Sequence, residues 1–147
     1  METKKVDWQL VILVCSLIII MIMGVRQSLG LFLDPITSFM KSGKEFFSFA
    51  IGVQAIIWGL VTFFLGILID KFGPQKVLAF GIISFASGIF LMSNPTSEFT
   101  LFSATTLMGF GLGGAGMATM VSIAGKVAPV NKRSLAMGLV AAAASFG

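Results

Sequence analysis

The stretch GILIDKFGPQK, from Gly66 to Lys76, joins two long apolar runs of the chain. Its apolar residues give way to the carboxylate of Asp70, and the pair Gly73-Pro74 then favours a turn. A carboxylate that ends a helix just before a turn can accept hydrogen bonds from a helix N-terminus or pair with a cation. The stretch therefore predicts a hairpin of two helices with a fixed acidic group at its tip.

The composition of the whole chain indicates a membrane protein. Of its 147 residues, 56% are hydrophobic and 11% are charged, and the mean hydropathy is +1.01. A soluble domain of this length carries about 25% charged residues, so this chain has too little polar surface to cover itself in water. The net charge of +4 does not indicate nucleic acid, because the basic residues occur in short clusters between apolar runs, as membrane topology requires.

Five apolar runs follow one another along the chain, and four have about the 20 residues that a membrane-spanning helix needs. The fifth has about 13 residues, or about 20 Å of helix, which is too short for a hydrocarbon core of about 30 Å. We therefore predict an all-α, polytopic helix bundle with four complete helices and part of a fifth, and we expect the chain to be one portion of a longer protein. The predicted helices are Leu10 to Leu33, Phe46 to Ile69, Lys76 to Met92, Phe99 to Ala124 and, incomplete, Leu135 to Gly147.

The basic residues predict the orientation, because cytoplasmic loops carry an excess of them. If the four long runs alternate in direction, only Lys41 and Lys44 lie on one side of the membrane. We therefore expect a multi-pass protein of the cell membrane with a cytoplasmic N-terminus. No A-x-A cleavage site follows the first run, so the first helix is expected to be retained. The basic residues on the predicted cytoplasmic side are Lys4, Lys5, Lys71, Lys76, Lys126, Lys132 and Arg133.

The loop GILIDKFGPQK resembles the connection between the second and third helices of the major facilitator superfamily. Gly66, Asp70, Lys71, Gly73 and Lys76 match its pattern of glycine, acidic and basic residues. The resemblance implies a fold of twelve membrane helices, of which this chain would be the N-terminal portion. It also implies that Asp70 and Lys71 act in gating, because the acid of this loop contacts the other half of such transporters and helps to close their cytoplasmic side.

A second stretch, NKRSLAMGLVAAAASFG, resembles the signature before the fifth helix of the monocarboxylate transporters. Lys132, Arg133, Ala136, Gly138 and Gly147 match this signature. The stretch GVRQSLGLFLDPI of the first run is also similar to the first helix of bacterial members and of the related oxalate/formate exchangers. These resemblances imply secondary transport of small organic anions, in which two six-helix halves give alternating access to a central site, coupled to a proton or a second anion.

Arg26 lies inside the first apolar run, about 24 Å from Leu10 and about 10 Å before Leu33. An arginine near the bilayer centre costs about 2.5 to 3.5 kcal/mol on insertion scales. One alternative is that its side chain extends to the outer surface and only anchors the helix. The other is a cavity, because Gly30 leaves space one turn later and Gln54 of the second run lies at nearly the same depth. Our hypothesis is that Arg26, assisted by Gln54, binds a carboxylate with two parallel hydrogen bonds.

Glycines in two of the runs predict close helix packing. Gly109, Gly111 and Gly114 satisfy the G-x-G-x-x-G pattern of nucleotide sites, but they lie inside a membrane run with no strand before it. Small residues four apart, such as Gly109 and Gly113, instead let another helix approach. A second stripe recurs at every seventh residue of the second run and has the same expected role. It comprises Gly52, Gly59 and Gly66.

A different class of protein stays open on the residues alone: a small membrane protein without transport activity, such as a scaffold, an accessory subunit or a truncated remnant. A membrane enzyme is a weaker alternative, because the chain has no His and no paired acids inside its runs. With the single Cys15 there is no internal disulfide. No cofactor or metal is predicted. The expected partners are an anionic substrate, a proton or counter-anion, the lipid bilayer and the C-terminal half of a transporter.

Overall fold

The computed structural model describes residues 7–40 and 43–147, and all regular elements in these ranges are helical. Lys4, Lys5 and Lys41 of the predicted charge pattern lie outside the described residues. Two membrane spans are composite: the first consists of two helices joined by a 3₁₀ turn, and the fourth consists of two consecutive helices. The bounds are α1 Trp8–Ser28, α2 Leu33–Met40, α3 Lys44–Phe72, α4 Pro74–Met92, α5 Glu98–Ala115, α6 Met117–Val127 and α7 Arg133–Ala143, with 3₁₀ turns at Leu29–Phe32 and Val130–Lys132.

Among the described residues, four helices are long and apolar enough to cross a membrane, which confirms the predicted all-α membrane bundle. They are Trp8–Phe39, Lys44–Phe72, Pro74–Met92 and Glu98–Val127. Most of them extend a few residues past the predicted bounds, because hydropathy marks the hydrocarbon part of a helix while its hydrogen-bonded backbone continues into the headgroup region. The largest difference is in the first span, which continues to Phe39 and not only to the predicted Leu33.

The last helix, α7, differs at both ends from the predicted range. It begins at Arg133, two residues earlier than predicted, and it ends at Ala143. The chain then turns, and Gly147 lies against α1. A Cβ at Gly147 would meet backbone atoms of Ile20 and Gly24. The small residues at the end of the chain therefore pack the backbone directly on the first span.

Helix α5 is central in the bundle and lies between α3 and α4. A methyl group at Gly109 would lie 2.8 Å from the carbonyl oxygen of Gln54 on α3, and one at Gly111 would lie 2.5 Å from Cβ of Phe85 on α4. Because carbon atoms normally stay about 3.5 to 4.0 Å apart, only glycine permits these approaches. The predicted packing role of these glycines is confirmed. The hydroxyl of Ser84 on α4 also donates a hydrogen bond of 2.8 Å to a carbonyl oxygen of α5.

The second glycine stripe, on α3, does not pack inside the described part of the chain. At Gly52, Gly59 and Gly66, no described atom lies within 4 Å of the position that a Cβ would take. The most apolar segment of α3 is only 11% buried, compared with 67% for the fourth span. The described helices therefore do not pack on this face of α3, and Gly59 lines a cavity beside the fourth span.

The fourth span is interrupted at Gly116, although the sequence predicts one continuous helix. Gly116 is extended, with φ −77° and ψ −173°, so α5 ends at Ala115 and α6 begins at Met117. A Cβ at Gly116 would collide with the carbonyl oxygen of Leu112, which explains why glycine occupies this position. The interruption leaves backbone groups without helical partners within a membrane span, an arrangement tolerated only where protein or a cavity surrounds them.

Candidate functional site

A cavity of about 520 Å³ lies between the first span and α3. We call it the arginine cavity, because Arg26 is the charged side chain in its lining. The first span also contributes Gly30, and no described atom lies within 4 Å of the position that a Cβ of Gly30 would take. Arg26 and Gln54 line the same cavity, at the similar depth that their positions along the helices predict. From α3 the lining includes Phe47, Ser48, Ile51 and Gln54.

The guanidinium of Arg26 lies over the indole ring of Trp58, with Cζ 4.7 Å from the ring centroid. Trp58 is the middle residue of α3, about 21 Å from either end of that helix. A cation at this position is near mid-depth in the bundle and away from the helix ends. The contact with the ring gives the guanidinium about 0.5 to 2 kcal/mol of electrostatic attraction, depending on how far it is desolvated.

The extended first span also changes the expected depth of Arg26. The sequence predicts about 10 Å of helix beyond this residue, whereas thirteen residues, or about 20 Å, separate it from Phe39. The side chain contacts Trp58 and is half-buried. Its guanidinium therefore lies among helices α1 and α3, and not at the end of the first span.

Gln54 is almost completely buried, with 2% of its surface exposed. Its Nε2 has no hydrogen-bond partner among the described residues. An unpaired buried amide donor costs about 1 to 3 kcal/mol, and a ligand that accepts a hydrogen bond from this nitrogen would remove that cost. Gly109 of α5 lies close to the backbone carbonyl of Gln54, so α5 packs directly on this turn of α3.

The positive charge of Arg26 has no acidic partner within the described ranges. The ion pair found there joins Asp34 to Lys44, with 2.6 Å between Oδ1 and Nζ, and both side chains are exposed. An unpaired cation within a membrane bundle is costly, and a bound anion would remove much of that cost. The described acidic residues all lie at or near helix ends: Asp7, Asp34, Glu45, Asp70 and Glu98.

The turn between α3 and α4 has the geometry that its sequence predicts. Gly73 is the single residue between the two helices, and its φ of 84° lies in the region that favours glycine. Pro74 is the first residue of α4, where its fixed φ suits a helix start. Asp70 is exposed and forms no ion pair with another described residue. Its gating role stays a prediction, as does that of its matching neighbours in this loop, Gly66, Lys71 and Lys76.

The residues of the predicted signature before the fifth helix lie partly at the surface and partly in the core. The ammonium of Lys132 lies 5.4 Å from the ring centroid of Trp8, which joins this loop to the start of α1. Arg133 begins α7, and Ala136 is fully buried. Gly138 faces open space. The structure therefore gives this segment a packing role at Ala136 and Gly147, and its family signature stays a prediction.

A second cavity, of about 370 Å³, was not predicted from the sequence. We call it the break cavity, because it lies between α3 and the interruption at Gly116. Trp58 lines it, together with Thr62 of α3 and Ala118 of α6. The sequence does contain one signal for this cavity. Trp58 lies at the middle of a spanning helix, far from the membrane interfaces where tryptophan is enriched.

A third and larger cavity, of about 680 Å³, lies between the end of the first span and the end of α4. None of the described residues that line it is charged, and most are apolar, such as Phe32, Ile36 and Met92. Volume alone would therefore select this cavity as the binding site. The arginine cavity is the better candidate, because specific sites combine an apolar lining with a few convergent polar groups.

The spanning helices of the described residues define a multi-pass membrane protein with a cation near the middle of its bundle. The sequence profile of the Major Facilitator Superfamily matches residues 11–147. The chain belongs to this superfamily, whose members are transporters and not enzymes.

Two curated relatives are similar to part of the chain. Over 98 residues the chain is 29% identical to the uncharacterized MFS-type transporter YcxA of Bacillus subtilis (strain 168). These residues are 67% of this chain and 23% of that protein. Over 87 residues the chain is 30% identical to the agnestins efflux protein AgnL12 of Paecilomyces divaricatus. These residues are 58% of this chain and 20% of that protein. The matched region is thus about a fifth of the length of these relatives. No solved structure matches the chain significantly. Neither relative is named as a monocarboxylate or oxalate/formate transporter, so that narrower assignment stays a prediction.

Proposed function

We propose that the chain is the N-terminal portion of a secondary transporter that moves small organic anions, of the mono- or dicarboxylate type, by alternating access. One observation carries this proposal: a single cavity near mid-depth contains the guanidinium of Arg26 and Nε2 of Gln54, and among the described residues neither group has an acidic or hydrogen-bonding partner. The superfamily supports the transport mechanism, in which a central site lies between two halves of the protein. In this proposal the rest of the transporter supplies the other side of the site.

The geometry of Arg26 suits a carboxylate ligand. A guanidinium keeps its charge when it is desolvated, and its planar fork matches the two oxygens of a carboxylate. Cζ of Arg26 lies over the indole ring of Trp58, and the guanidinium carries five N–H donors. Because no acidic residue of the described ranges forms an ion pair with Arg26, these donors are available to a ligand. Nε2 of Gln54 supplies a further donor for an oxygen of the same ligand.

The proposal assigns gating and coupling to groups outside this cavity. Asp70 and Lys71 lie exposed at the tip of the α3–α4 hairpin, where they can contact another part of the transporter. Because the described acidic residues lie near helix ends, proton coupling would need an acid elsewhere in the transporter. Exchange against a second anion would need only that Arg26 binds both anions in turn.

Flux measurements on Arg26 variants test the proposal. The intact gene product is reconstituted in liposomes, and uptake and efflux of radiolabelled formate, acetate, oxalate and succinate are measured. We expect Arg26→Gln to raise KM about 10- to 100-fold, because a hydrogen bond to a charged group contributes about 1.5 to 3 kcal/mol. The KM of Arg26→Lys should lie between those of the wild type and of Arg26→Gln, since lysine keeps the charge but lacks the planar fork of donors. Lys44→Gln is the matched control, because it removes an exposed charge at a helix end.

Each result has a defined meaning. If Arg26→Gln inserts normally and transports a carboxylate with unchanged KM and rate, Arg26 does not bind the substrate. If the wild-type protein moves none of these anions in either direction, the proposed substrate class is wrong. Both directions are measured because one relative is named as an efflux protein.

A further inference from the structure

The arginine cavity and the break cavity lie along one face of α3. The arginine cavity is lined by Ile51 and Gln54, and the break cavity by Trp58 and Thr62. These residues are three or four positions apart, so their side chains lie above one another on the same side of the helix. The two cavities are therefore consecutive along the axis of α3, with Trp58 at the boundary between them.

The boundary consists of two side chains in contact. Arg26 lines the arginine cavity, Trp58 lines the break cavity, and the guanidinium lies 4.7 Å from the centroid of the ring. On its other side the indole approaches the interruption of the fourth span, since a Cβ at Gly116 would lie 3.7 Å from Nε1 of Trp58. The half-buried ring thus contacts Arg26 of the first span and lies beside the break between α5 and α6.

We propose that Trp58 is a positioning residue that holds the Arg26 guanidinium and, together with it, separates two halves of one translocation path. This inference rests on the proposed transport function, because it assigns the break cavity to the same path. A carboxylate attracts a guanidinium more strongly than an aromatic face does. A substrate that binds Arg26 therefore weakens its contact with Trp58, and the boundary opens towards the break cavity when the anion is in place.

Thiol labelling measures this separation without any transport. In a cysteine-free form of the intact gene product, with Cys15→Ala, one reporter is Ser48→Cys in the arginine cavity and the other is Thr62→Cys in the break cavity. A membrane-impermeant thiol reagent is applied from the side at which Ser48→Cys reacts. We expect slow labelling of Thr62→Cys when Trp58 is present. With Trp58→Ala it should be at least about 10-fold faster, because reagent access and not thiol chemistry limits the rate.

Two further variants keep the test decisive if Trp58→Ala folds poorly. Trp58→Phe keeps an aromatic face for the guanidinium and should restore slow labelling of Thr62→Cys. Arg26→Gln removes the cation but leaves the ring, and it should raise the labelling rate. Labelling of Ser48→Cys should not change in either variant.

Equal labelling of Thr62→Cys with Trp58, Ala or Phe at position 58 would overturn the proposal. A complete lack of labelling in both Trp58→Ala and Arg26→Gln, while Ser48→Cys still reacts, would also overturn it. These outcomes are distinct from a failure of the proposed function, because accessibility can change in a protein that transports none of the tested anions. Conversely, transport that depends on Arg26 can persist when the two cavities prove to be unconnected.

Discussion

Replacing Gly111 with alanine tests the close approach of α5 to α4. The new methyl group would lie 2.5 Å from Cβ of Phe85 and 2.7 Å from its Cα and its backbone nitrogen. Because carbon atoms normally stay about 3.5 to 4.0 Å apart, the two helices must separate by about 1 Å. Backbone atoms cannot rotate away as the end of a side chain can, so α4 has to move as a unit.

The magnitude follows from the contacts that this movement weakens. A gap of about 0.5 to 1 Å already loses a quarter to a half of the dispersion energy of each contact across it, and overpacking of a core costs about 1 to 3 kcal/mol. Alanine gains up to about 1 kcal/mol over glycine from helix propensity. Gly52→Ala is the matched control, since it has the same gain and no described atom lies within 4 Å of its new methyl group. We expect Gly111→Ala to be less stable than Gly52→Ala by about 1 to 3 kcal/mol.

The free energies of unfolding are compared by titrating mixed detergent micelles with SDS while helicity is followed by circular dichroism. The wild-type protein gives the reference for both variants. If Gly111→Ala is as stable as Gly52→Ala, or more stable, the close packing of α4 on α5 is refuted. A loss of stability in both variants would mean that the α3 stripe is also a packed surface in the intact protein.

Two further predictions use the same unfolding assay, and a third uses intact cells. Ser84→Ala should lower the free energy of unfolding by about 0.6 to 1.7 kcal/mol, the range of hydrogen bonds between membrane helices, because it removes the bond to the carbonyl of Leu107; an unchanged SDS midpoint would contradict this bond. Ser97→Ala should cost about 0.5 to 2 kcal/mol, because its hydroxyl caps the first turn of α5, and Ser97→Asn should recover most of the loss. In a variant without the native cysteine, Lys44→Cys should react with an impermeant reagent in intact cells and Lys71→Cys only after lysis; the reverse pattern would invert the predicted orientation.

The spanning helices could be predicted because the bilayer requires a continuous apolar length, which hydropathy measures directly. The common depth of Arg26 and Gln54 could also be predicted, because each residue advances a helix by about 1.5 Å. The rotation of each helix about its axis depends on side-chain packing between helices. For this reason the contact of Arg26 with Trp58, and the cavity beyond it, required the structure.

The interruption at Gly116 shows a different limit. In the sequence, Gly116 differs little from Gly109, Gly111 and Gly113, which lie nearby in the same apolar run. All four lower helix propensity to the same extent. The first three lie where α3 or α4 approaches α5 closely, and of the four only Gly116 has an extended backbone. Propensity identifies where a helix can break, and the packing of neighbouring helices decides where it does.

The single-residue turn at Gly73 has a consequence for how the protein is made. Helices α3 and α4 leave this turn in contact at Leu65 and Val77 and are then separated by α5, which is synthesised after both. During insertion, a cleft therefore lies between α3 and α4 before α5 is made. Either lipid fills this cleft, or the two helices pack against each other and close it. The arrival of α5 must reverse that state. The glycines that face both neighbours make α5 slim enough to enter, so we expect bulky residues there to slow assembly in the cell even where the finished bundle could accommodate them.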